Sequence, residues 1–332
     1  MSAVSHHKVQ SFENDWRIDK WFKSNFPALG FGRLSKLIRT GQIRANGKRI
    51  KAGFRVEEGM EIRVPPMDDN PNVNKERRRQ NDDRKNQNRQ DIDFMRDMVI
   101  YQDNSVIILN KPPGLAVQGG SKITRHVDGL LDCLQGDNPE RPKLVHRLDK
   151  DTSGLLVIAK SSRAAKSLTE SFRNRKTTKI YWALVVGRPE RTSGTINAPL
   201  DKEPGSRGER MMVADKGKKA VTDFHVMDSA AREVSWVAFK PVTGRTHQIR
   251  VHAALLDTPI VGDGKYGGKA AFLDGAISKK LHLHARSIDI DHPDGGILSM
   301  RADLPRHMQE SWQMFGFDKK DKSDPFDDEA ML

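Results

Sequence analysis

One short segment of the chain concentrates the residue types that acid–base or nucleophilic chemistry requires. Asp149 lies in the string LVHRLDKDTSGLLVIAK, residues 144–160, just before an apolar run that predicts a buried strand. His146 and Arg147 precede this carboxylate, and Lys150 follows it. Asp, Thr and Ser are common turn residues, which explains part of the composition. The concentration of cations around one carboxylate nevertheless favours a chemical use for Asp149 over a simple turn.

Three further segments place polar side chains beside apolar runs. Tyr181 lies in KIYWALV, which predicts a strand, and alone it would be interpreted as core packing. Arg245 and Arg250 lie in TGRTHQIRVH, which predicts a helix after a glycine turn, and they are candidates for phosphate contacts or ion pairs. The string NKPPG at residues 110–114 predicts a strand that ends in a rigid turn. None of these segments identifies a reaction by itself.

Together these segments resemble the RluA family of pseudouridine synthases. The matching strings occur in family order and cover most of residues 98–305; they are NKPPGLAV, HRLDKDTSGLL, KIYWALVVG, PVTGRTHQIRVH, VGDGKYGG and LHLHA. The resemblance implies a mixed, mainly antiparallel sheet with the active-site cleft across its middle. It also implies a reaction in which a uridine in RNA loses its N1–C1′ bond, rotates, and rejoins the sugar through C5.

The resemblance assigns roles to individual residues. It makes Asp149 the carboxylate that attacks C1′ or promotes deprotonation of the sugar, two routes that the sequence leaves open, and Arg250 its ion-pair partner. Tyr181 would stack on the target base and assist with the C5 proton, and Leu283 or a neighbour in LHLHA would pack below the base. The uridine must leave the RNA stack, at a cost of a few kcal/mol. Arg147 is the candidate for filling the resulting gap, because a guanidinium can stack and hydrogen-bond like a base. The remaining candidates for substrate contacts in this domain are His146 and Arg245.

Neither a metal ion nor an organic cofactor is expected. The histidine pairs His247 and His252, and His282 and His284, lack the HExxH spacing, and no cysteine cluster accompanies them. The string GDGKYGG at residues 262–268 lacks the order of a phosphate-binding P-loop and is interpreted as a structural turn.

The N-terminal residues 12–65 form a small unit with its own pattern. Apolar residues predict two helices, the second ending at Gly41. A hairpin follows, with Asn46-Gly47 at its turn. Over residues 14–65 this arrangement resembles the S4 RNA-binding domain, so a small α/β domain that grips structured RNA is expected.

The charge of this unit supports RNA binding. Between Arg33 and Arg63 the chain has nine basic and three acidic residues, an imbalance that favours phosphate contacts over a merely solvated face. The candidate contacts lie at helical spacing on the second helix and on the hairpin: Arg33, Lys36, Arg39 and Lys48.

The rest of the chain divides by composition. Residues 66–97 carry eight basic and eight acidic residues with few apolar ones, which predicts a flexible linker. Residues 98–316 are predicted to be an α+β domain, because strand patterns outnumber helical ones without alternating with them. The end of the chain, 317–332, is predicted to be a disordered charged tail. In the large domain the patterns predict strands at 106–110, 155–160, 179–187, 220–226 and 234–241, and helices at 162–175 and 247–256.

The overall composition limits the partners and the location. Lys and Arg number 57 against 44 Asp and Glu, for a net charge of +13, so the preferred partner is anionic and nucleic acid is the first choice. No apolar run approaches the roughly 18 residues that a membrane span requires. The one cysteine, Cys133, is interpreted as a core thiol and fits a reducing cytoplasm. We expect a cytoplasmic monomer that does not bind membranes.

Three strings, EIRVPP, PPGLAVQGGS and GERMMVADKGKKAVTDFHV, resemble the RluC-type branch of the family. This likeness implies 23S rRNA, free or in a large-subunit assembly intermediate, as the substrate, and an RluD-type enzyme with other rRNA sites is the alternative. Two other classes of protein fit these residues less well. A non-catalytic ribosome-binding protein would not need Asp149, Tyr181 and Arg250. A two-carboxylate glycoside hydrolase would need a proton-donating acid that the surroundings of Asp149 do not offer.

Overall fold

The computed structural model describes residues 4–27, 29–66, 89–120, 123–204 and 210–327. The chain divides into two compact units, Met1–Asn86 and Gln87–Leu332. None of the helices in the described ranges has the length and apolar character that a membrane span requires.

The N-terminal unit packs two helices and a small sheet around one apolar core. The sheet has the order β1-β4-β2-β3 with antiparallel neighbours, and Trp21 and Phe22 are fully buried beneath it. In chain order its elements are β1 (Ser5–Lys8), a 3-10 turn (Ser11–Glu13), α1 (Ile18–Asn25), α2 (Phe31–Arg39), β2 (Arg44–Ala45), β3 (Lys48–Arg49) and β4 (Glu61–Val64).

The predicted helix pair and hairpin are confirmed. Gly41 ends α2 with a φ of 71°, and Asn46 and Gly47 form the hairpin turn with φ values of 47° and 76°. Both turn residues therefore have the positive φ that a two-residue hairpin of this type requires. The predicted start at residue 12 is too late, since β1 pairs with β4 and Val9 is buried in the core. The likeness to an S4 domain stays a prediction.

The large unit is an α+β domain, as the sequence predicted. Its described elements begin with a helix at residues 89–97 (α3), β5 (Val99–Gln102), β6 (Val106–Lys111), α4 (Val127–Leu130), a 3-10 turn (Leu131–Leu134), β7 (Lys143–Leu144), β8 (Ser153–Ala159), α5 (Ser162–Arg173) and β9 (Thr178–Val186). They continue with β10 (Ser193–Asn197), β11 (Leu200–Lys202), β12 (Met211–Val213), β13 (Val221–Ala230), β14 (Val234–Pro241), α6 (Gln248–Leu255), a 3-10 turn (Gly268–Ala271), β15 (Leu283–Asp291), β16 (Ile297–Arg301) and α7 (Arg306–Phe315).

One large mixed sheet organises this unit. Its strand order is β10-β13-β14-β9-β15-β8-β6-β5, with β16 paired to β15 and β7 to β8. The described neighbours are antiparallel except for β15 and β8, which run parallel. Each of the five predicted strands and both predicted helices is present within a few residues of its expected bounds. The strands β11 and β12 form a separate two-stranded ribbon.

Two predictions at the borders of the large unit are wrong. Residues 89–97 of the expected linker are helical, and Met95 is fully buried in the main core, because this segment has the apolar side chains that the rest of the run lacks. Residues 67–88 of that linker lie outside the described residues. The expected disordered tail packs on the large unit through two side chains: Phe317 is buried in an aromatic cluster, and Phe326 contacts the same cluster. Residues 328–332 of that tail lie outside the described residues. Arg286 also donates to the carbonyl of Asp321, 3.3 Å away.

Several buried histidines near β15 act as neutral hydrogen-bonding groups. His284 contacts Ser153 Oγ through Nδ1 at 2.9 Å and the Ala302 carbonyl through Nε2 at 3.2 Å. His282 contacts Ser311 Oγ through Nε2 at 2.9 Å. Burial lowers the pKa of His284 to about 3 and that of His282 to about 4. Both rings are therefore uncharged at neutral pH.

We expect the free energy of unfolding to fall as the pH drops below about 6.5. An unfolded histidine takes up a proton near that pH, but the buried rings stay neutral until the pH is far lower, so acid favours the unfolded chain. The loss at pH 5 is up to about 2 kcal/mol for each fully buried ring. Urea unfolding at several pH values measures it. The free energy should change little between about pH 8 and 7, and a constant value down to pH 5 would contradict the prediction.

Candidate active site

Asp149 lies in the loop between β7 and β8 and faces two cavities. The cavities have volumes of about 830 and 490 Å³, and both are lined by Arg147, Leu148, Asp149, His247 and Arg250. The Asp149 side chain is 19% exposed, so it is accessible but largely shielded from bulk water. Its loop is tight, since the Thr152 N–H donates to the Asp149 carbonyl at 3.2 Å.

A buried lysine fixes this loop from below. Lys111 is fully buried at the end of β6, and its Nζ donates to the carbonyls of Pro112, Leu115 and Lys150 at 2.9–3.0 Å. Burial lowers the pKa of Lys111 to about 7, and the charges of Asp151 and Asp149 act in the opposite direction. The string NKPPG predicted only a strand and a turn. A lysine at the end of the apolar run VIILNK was the signal for a buried cation.

Tyr181 and Leu283 come together on neighbouring strands. Tyr181 of β9 pairs with Ala285 of β15, and Ala183 pairs with Leu283, so Tyr181 and Leu283 are diagonal neighbours on one sheet face. Both line the 490 Å³ cavity together with Asp149. Burial raises the pKa of Tyr181 and the charge of Asp149 raises it further, so the phenol is neutral at physiological pH.

Arg250 is held by a carboxylate that the sequence analysis did not select. Its Nε and Nη2 donate to the two oxygens of Asp263 at 2.8 and 2.7 Å, and both side chains are buried. Burial disfavours the cation, but the hydrogen bonds and charge of Asp263, with a further contribution from Asp149, raise the pKa of Arg250. Arg250 therefore interacts with two carboxylates: Asp263 holds its guanidinium by hydrogen bonds, and Asp149, its expected partner, interacts with it through charge.

Asp263 belongs to the string GDGKYGG, which the sequence analysis interpreted as a structural turn. The string does form a turn, with Gly262 at a φ of 83°. It also contributes Asp263, and Tyr266 of the same string accepts or donates a 2.7 Å hydrogen bond at His247 Nδ1. No pattern of charge or periodicity marked these two residues, because their partners lie in another segment, Arg250 on α6 and His247 just before it.

The other predicted substrate contacts differ in their surroundings. His146 packs into the fold: its ring stacks on Phe172 at 4.4 Å, and its Nε2 accepts from the Val157 N–H at 2.8 Å. Burial lowers the pKa of His146 to about 3, so the ring is neutral. Arg147 is exposed and lines both cavities. Arg245 is exposed at the smaller cavity, where its Nε donates to the Lys219 carbonyl at 3.1 Å.

The predicted phosphate contacts of the N-terminal unit lie on its surface. The side chains of α2 separate into a buried apolar face with Leu34 and Ile38 and an exposed basic face. The exposed basic candidates on α2 and β3 are Arg33, Lys36, Arg39 and Lys48. The described ranges contain no group of three or more His, Cys, Asp and Glu side chains arranged to hold a metal ion.

We expect Asp263→Asn to destabilise the protein by about 3 kcal/mol, because it leaves a buried guanidinium without its counter-charge. Urea unfolding measures the loss. Asp291→Asn is the matched control, since Asp291 is exposed at the far end of β15. Equal stability of the two variants would mean that Asp263 is not what holds Arg250.

Comparison with known proteins identifies the family. The family model described as RNA pseudouridylate synthase matches residues 105–255. A protein named Ribosomal large subunit pseudouridine synthase C from Buchnera aphidicola subsp. Baizongia pistaciae is 39% identical over 299 residues, which are 87% of this chain and 90% of that protein. A protein of the same name from Salmonella typhi is 35% identical over 308 residues, which are 91% of this chain and 92% of that protein.

A solved structure is also similar. The structure of Human RNA Pseudouridylate Synthase Domain Containing 4 matches with a TM-score of 0.58 and 28% identity, over 69% of this chain and 97% of that one. These matches confirm the resemblance that the sequence motifs indicated. The chain belongs to the RNA pseudouridylate synthase family.

Proposed function

We propose that the protein converts uridines of 23S rRNA into pseudouridine, with Asp149 as the reacting carboxylate. The observation that carries this proposal is the convergence of Asp149, Tyr181, Leu283 and Arg250 on one 490 Å³ cavity. A neutral phenol and an apolar side chain can enclose a planar base. A carboxylate beside a buried cation can act on the sugar.

The charges around the cavity fit this division of roles. Arg250 remains a cation because Asp263 compensates it, and a cation near Asp149 favours the ionised carboxylate that either route requires. Tyr181 has a raised pKa, so forming its phenolate is costly at neutral pH. We therefore favour a role in which Tyr181 stacks on the uracil ring, and not one in which its phenolate removes the C5 proton.

A stacked uridine cannot reach this cavity, so the nucleotide must be flipped out of its helix. Arg147 is exposed at the edge of both cavities, where it can occupy the gap that the uridine leaves. Arg245, exposed beside the smaller cavity, is a candidate for a phosphate contact.

The names of the relatives support ribosomal RNA of the large subunit as the substrate. The positive net charge supports an RNA partner in general. An RluD-type choice of uridines remains the alternative within this class. We expect the protein to act in the cytoplasm as a monomer, where free rRNA or an assembly intermediate would be its partner.

We expect Asp149→Asn to abolish isomerisation while RNA binding is preserved, because the amide keeps the shape but is a far poorer nucleophile and base. The measurement is tritium release from RNA labelled at C5 of uridine, with binding measured separately. Asp291→Asn serves as the matched control on the same sheet. More than about one per cent of the normal rate in Asp149→Asn would overturn the assignment of Asp149.

We also propose that the N-terminal unit is an S4-type RNA grip that adds affinity without taking part in the chemistry. The exposed basic face of α2 and the neighbouring hairpin support this proposal. Every residue proposed for chemistry belongs to the large unit. A second binding module on the same chain raises the local concentration of RNA at the first.

The triple variant R33Q/K36Q/R39Q should weaken RNA binding and flatten its dependence on salt, by about 0.7–0.9 in log–log slope for each lost phosphate contact. The single-turnover rate at saturating enzyme should change little. The control K319Q/K320Q/K322Q removes the same charge from exposed positions near the C-terminus. If both triple variants have the same salt slope, the basic face of α2 does not contact phosphates.

A further inference from the structure

His247 has an unusual backbone and a buried ring. It precedes α6 with a φ of 54° and a ψ of 18°, the left-handed region that non-glycine residues seldom occupy. The residue is 8% exposed. Such a conformation costs free energy and persists where the surroundings impose it, often at functional sites.

The ring of His247 lies between a tyrosine hydroxyl and the proposed reacting carboxylate. Its Nδ1 is 2.7 Å from Tyr266 Oη, and its Nε2 is 3.8 Å from Asp149 Oδ2. Tyr266 Oη in turn accepts the N–H of Met211, on the β11–β12 ribbon, at 3.0 Å. The hydroxyl is therefore fixed from two sides.

These contacts select one tautomer of the neutral ring. If Nδ1 carried the proton, the lone pair of Nε2 would face the Asp149 carboxylate, and two acceptors would oppose each other. With the proton on Nε2, Nδ1 accepts the Tyr266 O–H and Nε2–H points towards Asp149. The Tyr266 oxygen still has a lone pair for Met211 N–H, so each group in the chain is satisfied.

We propose that His247 is a positioning residue that presents a neutral Nε2–H to the Asp149 carboxylate, and that Tyr266 fixes the ring in this tautomer. The inference rests on the proposed role of Asp149. Hydrogen bonds to a reacting group are often long in a free enzyme and shorten when the substrate binds, and a shift of about 1 Å would complete this one.

Burial and nearby cations keep the ring of His247 neutral. The charged groups that face it lie on the helix that follows it (Arg250), in the loop of residues 262–268 (Lys265 and Asp263) and in the loop before β8 (Arg147 and Asp149). Burial lowers the pKa of His247 to about 3, the cations lower it further, and Asp263 opposes them. A neutral ring can donate a hydrogen bond to the carboxylate once the two groups approach, and it has no acidic imidazolium proton to transfer.

A donor to an ionised carboxylate lowers the pKa of that carboxylate. Removing the donor should therefore move the acid limb of the rate profile to higher pH. Loss of a purely structural contact would lower stability without moving this limb.

The experiment compares two amides at position 247 by single-turnover tritium release at saturating enzyme, from about pH 5 to 8.5. The amide of His247→Asn corresponds to Nδ1, so it can contact Tyr266 but does not reach Asp149. The longer His247→Gln places its amide nitrogen where Nε2 lies. We expect the acid midpoint of His247→Asn to rise by about 0.5–1 pH unit, and that of His247→Gln to remain closer to the original value.

Two further variants complete the test. Tyr266→Phe keeps the aromatic ring over Arg250 but removes the hydroxyl that fixes the tautomer of His247. The acid midpoint of this variant should rise, but by less than that of His247→Asn. His252→Gln is the matched control, because His252 is buried on the helix that follows His247 but contacts Thr222 and Ala198. Its midpoint should not move. Tryptophan fluorescence at each pH identifies any variant that has unfolded.

Asp149→Asn in the same assay separates the two proposals. If that variant is active, the role of Asp149 is wrong, whatever the midpoints are. If it is inactive and His247→Asn has the original midpoint, or moves no more than His247→Gln and His252→Gln do, the positioning role of His247 is wrong. The proposal is supported when His247→Asn alone shows the large shift and Tyr266→Phe follows in the same direction.

Discussion

The site depends on keeping charged groups ionised in a half-buried cleft. A cation near Asp149 favours the ionised carboxylate, and Arg250, which supplies that charge, is itself buried and requires compensation. Asp263 provides it through two hydrogen bonds. Because Asp263 holds the guanidinium, the position of Arg250 does not depend on Asp149. The charge of Arg250 still acts on Asp149.

Two of the groups that face Asp149 come from the start of α6. His247 precedes the helix in a left-handed conformation, and Arg250 lies in its first turn. The loop of residues 262–268 contacts both of them, through Tyr266 and Asp263 respectively. The loop thereby sets the orientation of the helix end relative to Asp149. Lys111 links the Asp149 loop to the segment that follows β6, because its Nζ donates to the carbonyl of Lys150 and to those of Pro112 and Leu115.

The sequence predicted the sheet class, the helix pair of the N-terminal unit and the segments that converge on the site. These features depend on local periodicity, on turn residues and on the order of motifs, all of which are visible in the sequence. Asp263, Tyr266 and Lys111 escaped prediction because their importance arises from contacts with distant segments. The helix at 89–97 and the packed residues 317–327 were missed for a related reason. A few apolar side chains in a charged segment become buried only when another part of the fold packs against them, and the local sequence does not show that contact.

The position of β15 in the sheet differs from its position in the chain. This strand lies between β8 and β9, which α5 joins directly, yet it begins only at Leu283. Gly154 of β8 has a φ of 106°, and a side chain there would overlap the backbone of Ala285, so the two strands meet as bare main chain. During synthesis, β8 and β9 must therefore wait with unpaired apolar edges until nearly the whole chain has been made. Long-range pairing of this kind slows folding and exposes nascent strands to aggregation. The strands that contribute Tyr181 and Leu283 to the 490 Å³ cavity are thus among the last parts of the enzyme to pair during its synthesis.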